Sequence, residues 1–275
     1  MNKLLTLYDI EFKRIKKVYF SILAVLIVGN ISYFIYSLYH IIKSVENILN
    51  VKVGLWILRT SEAYKIIEGG VSIQMIYNTT YIMMALAIIW CVYYGFAIWY
   101  KDFSNKTKVV YTLFMLPYNK FNIFISKLIT IVFFIYGVLV TQHILWLIEM
   151  FIIKGISGIH LSQIIDLINY NRAMSFLFLS VSIYPVEIFV FYIIAPIVAV
   201  TVLFTAVMIH KSINKIGGFI SILYILSILA IYIYYSAIYL GFSDQLLLTN
   251  LIYFLSVFLL SLFLSYKLIN DKVYV

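Results

Sequence analysis

Six runs of apolar residues, each about long enough to cross a lipid bilayer as a helix, constrain this chain more than any other feature. They cover Val18 to Ile41, Met75 to Trp99, Ile125 to Ile153, Val186 to Ile209, Gly217 to Leu240 and Leu246 to Tyr266. A helix crossing the hydrocarbon layer needs roughly 20 predominantly apolar residues. Membrane-spanning strands would alternate apolar and polar residues over about 10 positions, and these runs do not alternate. Of the 275 residues 64% are hydrophobic and 11% charged, with a mean hydropathy of +1.04, which leaves too little polar surface to cover a water-soluble core. The reading is an all-α integral membrane protein with one transmembrane domain over residues 1–275. Soluble enzymes, disordered linkers and disulfide scaffolds are excluded, and a lone cysteine, Cys91, forms neither a disulfide framework nor a thiolate metal cluster.

The few charges sort by side. With both termini inside, one face of the membrane carries fourteen Lys and Arg residues against Asp9, Glu11, Asp102 and Asp271. The other carries six, Lys43, Lys52, Arg59, Lys65, Lys154 and Arg172, against seven acidic residues. Cytoplasmic loops hold the basic excess, so +10 against −1 predicts an N-in, C-in topology in a cell membrane. It also accounts for the basic balance without nucleic acid. The run at residue 18 is read as a retained span, since no small-residue cleavage pattern follows it. Between Ala173 and Tyr184 about twelve apolar residues are too few for two further crossings, so a re-entrant or surface-lying segment is expected. Pro185 suits a first helical turn, and Pro196 should distort the span around it.

Two charged segments flank the spans. The N-terminal segment, residues 1–17 and running on to Tyr19, places Leu4, Leu5, Tyr8, Phe12, Ile15 and Tyr19 on one stripe, with Lys3, Thr6, Asp9, Lys13, Lys16 and Lys17 opposite. That pattern predicts an amphipathic elbow helix lying against membrane lipids. The loop over residues 100–127 is the more informative. Ser104 or Asn105 can cap a helix whose apolar residues Val109, Val110, Leu113, Phe114 and Leu116 recur at helical spacing, and Pro117 stops it. A short helix with one apolar face fits a groove on another protein, or rests on the membrane.

The succession of amphipathic helix, span, external loop, span, Asp102, Thr107, Leu113, Leu116-Pro117 and Ser126-Lys127 resembles the permease subunits of type-2 ATP-binding-cassette (ABC-2) exporters of Gram-positive bacteria. The resemblance implies a multi-pass permease of the bacterial plasma membrane, pairing with a second permease and with cytoplasmic ATPase subunits. It also implies a cytoplasmic coupling helix, with Asn105, Thr107, Val110, Leu113, Phe114, Leu116 and Pro117 on the ATPase. Family members often carry a sizeable re-entrant element between the last two spans, where this chain has the tight turn Gly241 to Gln245. The cargo implied is amphipathic, an antimicrobial or cytolytic peptide or a lipid-like drug.

No Gly-x-x-x-x-Gly-Lys-Ser/Thr occurs, so ATP and Mg²⁺ belong to a partner chain and no cofactor is expected in this one. The chain is not read as an enzyme. His-Glu-x-x-His and Gly-x-Ser-x-Gly are missing too, and His40, His143, His160 and His210 lie on different segments, which speaks against a metal site. Polar residues inside the spans are costly. Asn30, Gln142, His143, Glu149 and Glu187 mark a possible translocation path. Asn30, Gln142, Thr201 and Thr205 suit hydrogen bonds between helices better than ligand contacts. Glu149 and Glu187 are expected near the outer interface, reaching head groups or a cationic part of a cargo. A non-transporting immunity or assembly protein that binds a toxin is the alternative. An ion-coupled transporter would want paired ionisable groups near the midplane, and none is found.

Overall fold

The computed structural model describes residues 3–50, 73–103, 119–158, 188–213, 216–238 and 243–271, and among these there are helices and no strands. The helices are α1 (Lys3–Leu49), α2 (Ile73–Asp102), α3 (Lys120–Ser157), a π-helical stretch (Ile188–Ile194) running into α4 (Ala195–Ser212), α5 (Gly217–Ile238) and α6 (Ser243–Asp271). Among the described residues six helices are long and apolar enough to cross a membrane. All six expected spans fall on them, and the protein is a multi-pass membrane protein by architecture. The α5 helix carries no charged residue and exposes Phe219, Ile222, Leu226 and Ile233. Such an apolar surface suits lipid and not water.

Helix ends follow their local chemistry. Asn119 caps α3, its side-chain oxygen accepting the Phe121 backbone N–H at 3.1 Å. At the other end Gly158 takes φ +72, a left-handed conformation that costs glycine nothing. Its N–H closes on the Lys154 carbonyl at 2.9 Å. Asn50, another residue tolerant of that region, ends α1 with φ 53.

Two expectations change. The elbow helix is not a separate element, because α1 is one unbroken helix of 47 residues, about 70 Å at 1.5 Å per residue. Its charged start interrupts hydrophobicity but not helix propensity, since Lys13, Lys16 and Lys17 all point outward. The expected stripe is met at Ile15 and Tyr19 but not at its start. Leu7, Glu11 and Ile15 face inward at spacings of four, while Leu5 is exposed. Pro196 meets its expectation in a specific form. A proline lacks the N–H for the i−4 carbonyl and its ring crowds that carbonyl, and here the helix is π-wound up to Ile194 and α-wound from Ala195. The Tyr136 hydroxyl donates to the Ile193 carbonyl at 2.6 Å, supplying a partner within that turn.

The chain forms two compact units, and the boundary between them passes through α1, α2 and α3. One unit holds the start of α1, the end of α2, the start of α3 and all of α4 to α6. Its centre is α4, whose Val198 and Val202 pack with Val257 of α6 under Tyr224, Ile225 and Ile228 of α5. Hydroxyls bind these helices too, Thr205 to Ser265 at 2.9 Å and Tyr224 to Ser261 at 2.8 Å. The other unit holds the rest of α1, α2 and α3, packed through Phe34, Val45, Met84, Val138 and Trp146. The segment 173–184 lies outside the described residues.

Candidate functional site

Three helix ends supply a ring of alternating charge. Glu11 and Arg14 come from the first turns of α1, Asp102 from the last residue of α2, and Lys127 from the third turn of α3. The Lys127 ammonium lies 2.5 Å from Asp102 Oδ2 and 2.6 Å from Glu11 Oε1. Arg14 Nη1 lies 2.9 Å from Asp102 Oδ1 and 3.8 Å from Glu11 Oε2, which closes the ring. The Arg14 contacts are charge proximity, since neither of those two oxygens has an aligned hydrogen bond. Lys127, Asp102 and Glu11 are 2%, 1% and 6% exposed, and the Arg14 side chain is the most open of the four at 29%. Two cations balance two anions, so the ring is neutral as a unit although every member alone would be a costly buried charge.

Aromatic residues enclose it. Lys127 sits 5.2 Å from the Trp99 ring centroid, and Trp99 packs on Phe103, Phe124 and Phe204. Lys211 at the end of α4 adds a second tether, its ammonium 4.9 Å from the Tyr100 ring and 5.8 Å from that of Phe103. The end of α2 is thereby held by α1, α3 and α4 just where residues 104–118 begin.

Glu11, Asp102 and Lys127, counted by side in the sequence, are all buried. Lys127 lies well inside α3, which starts at Lys120. Helical spacing carried the signal: Phe124, Lys127, Ile131 and Ile135 form one buried stripe of α3, as Leu7, Glu11 and Ile15 do on α1. Asp102 and Lys127 were singled out in the sequence, but Glu11 and Arg14 were not.

The second unit holds most of the described polar residues expected along a path. Asn30 and Gln142 are both fully buried and exchange two amide hydrogen bonds, 3.1 Å and 2.9 Å, across α1 and α3. Tyr33 donates to Thr79 at 2.9 Å, and Trp146 Nε1 to Thr80 at 2.9 Å. His143 bonds within its own helix, Nδ1 to the Leu139 carbonyl at 2.7 Å. Thr201 likewise bonds back to Ile197, whereas Thr205 reaches α6. Glu149 does not reach toward head groups, since it is 3% exposed and turned inward. Its place on the Gln142, Trp146 stripe brings it there. Glu187 and the loop residues Asn105, Thr107, Val110, Leu113, Phe114, Leu116 and Pro117 lie outside the described residues.

Among the described residues no group of three His, Cys, Asp or Glu side chains could hold a metal ion. Comparisons with protein-family models, characterised proteins and solved structures found no match.

Proposed function

We propose that this chain is the transmembrane permease subunit of an ABC-2 type exporter, working with a second permease and with cytoplasmic ATPase subunits that bind ATP and Mg²⁺. The observation that supports it is the charge ring. A loop that receives force from a motor is useful only if its root is stiff, and Asp102, one residue short of the last described position before the loop, is tied by charge to α1 and α3. Movement of residues 105–117 would be passed to three helices together instead of being absorbed by a slack hinge.

In this reading the basic excess sets both termini in the cytoplasm of a bacterial cell and the outward lysines of early α1 face anionic lipid. The ATPase drives an exchange between inward-open and outward-open states, and the cargo is an amphipathic peptide or drug-like molecule. Purification from native membranes in a mild detergent, with mass spectrometry of the accompanying chains, tests it. Stoichiometric recovery of an ATP-binding-cassette ATPase is expected; recovery of a toxin or other partner without an ATPase would favour a membrane-embedded immunity or assembly protein.

A further inference from the structure

Glu149 differs from the buried acids of the ring. Glu11 and Asp102 face cations, but Glu149 is 3% exposed with no hydrogen-bond partner on either oxygen among the described residues. On α2, Tyr77 is fully buried with its hydroxyl also unpartnered among the described residues, and its ring lies 6.5 Å from that of Trp146, three residues before Glu149. Two carboxylate oxygens thus lack a donor, and on the facing helix a phenol able to donate and accept lacks a partner, in surroundings where each unmade bond is costly.

One turn earlier on α3, Trp146 is 1% exposed and has spent its N–H on Thr80. Its ring packs 4.7 Å from that of Tyr81 and 6.5 Å from that of Tyr77. An indole face is the aromatic surface that attracts cations best. A metal ion would need ligands that the described residues do not supply. A primary ammonium supplies the positive charge that the carboxylate lacks, and its three N–H donors can reach both carboxylate oxygens and a lone pair of the phenol.

We propose that Glu149, Tyr77 and Trp146 form a binding site for a primary ammonium group carried on a slim apolar stem, as on a lysine-like side chain or an alkylamine. Naming that amine as cargo rests on the permease reading; the site itself does not.

The test uses the full chain in neutral-lipid nanodiscs, labelled with 5-fluorotryptophan, with the Trp146 fluorine resonance assigned by Trp146→Phe. Hexylammonium chloride should shift that resonance saturably, and hexanol, equal in length and uncharged, should not. Glu149→Gln should weaken the apparent affinity about tenfold or more, the scale of one lost charge-assisted hydrogen bond. Tyr77→Phe should weaken it less and serves if the first variant does not fold. Equal responses to hexylammonium and hexanol, no saturable shift, or unchanged affinity in a folded Glu149→Gln chain would overturn the site. Amine binding by a chain that no ATPase accompanies would keep the site while removing the transporter reading. An ATPase-bound chain indifferent to hexylammonium would overturn the site and keep that reading.

Discussion

Lys127 and Asp102 meet at 2.5 Å across the stretch of sequence that contains residues 104–118. The pair ties the last residue of α2 to the third turn of α3, and Glu11 and Arg14 complete the ring from α1. Because the ring is neutral only when whole, single and combined replacements should behave differently.

Lys127→Met leaves two buried carboxylates with only the partly exposed Arg14 nearby. A loss of about 3–5 kcal/mol is expected, the usual cost of removing one partner from a buried ion pair. Replacing Glu11, Arg14, Asp102 and Lys127 together by Leu, Leu, Leu and Met should restore most of that stability, since apolar residues of similar volume often replace buried ion clusters without loss. Denaturation midpoints in detergent would check both. A single variant as stable as wild type would show that the ring contributes no net fold stability.

Asn30→Leu or Gln142→Leu strips one member from a reciprocal amide pair and leaves the other buried without its partner. Each should cost about 0.5–2 kcal/mol, the range for polar contacts between membrane helices. The double variant should cost less than the sum, and a double-mutant cycle on unfolding free energies reads that coupling.

Two glycines predict contrasting outcomes. A Cβ at Gly137 would meet the Tyr19 hydroxyl at 1.7 Å, the far end of a side chain. Gly137→Ala should therefore destabilise, and Tyr19→Phe in the same chain should recover much of the loss. At Gly217 the obstacle is the His210 backbone carbonyl oxygen, 2.6 Å away. Gly217→Ala should cost about 1–3 kcal/mol, as overpacking does, and substituting the His210 side chain should not rescue it. Thermal midpoints of the two single glycine variants and both doubles would separate the cases.

The spans were legible because an apolar run of bilayer length has few alternatives, and each of the six falls on a helix long and apolar enough to cross. The unity of α1 was not. Lys13 to Lys17 look like a break in a hydropathy profile, yet outward-facing lysines leave the backbone hydrogen bonds of a helix intact. The ring was half legible. Asp102 and Lys127 stood out at the ends of a loop, but Glu11 reads as a surface charge until its partner, 116 positions away, is known. Glu149 was expected at head groups, and its inward turn and lack of a described partner depend on tertiary packing that no spacing records.

The most direct measurement is ATP hydrolysis by the purified complex of this chain with its ATPase, comparing wild type with a chain carrying Leu113→Asp and Phe114→Asp. If residues 105–117 carry the motor's movement, the acidic pair should abolish co-purification and the permease-dependent stimulation of hydrolysis, while the variant chain still folds. Wild-type co-purification and wild-type stimulation in that variant would contradict the account.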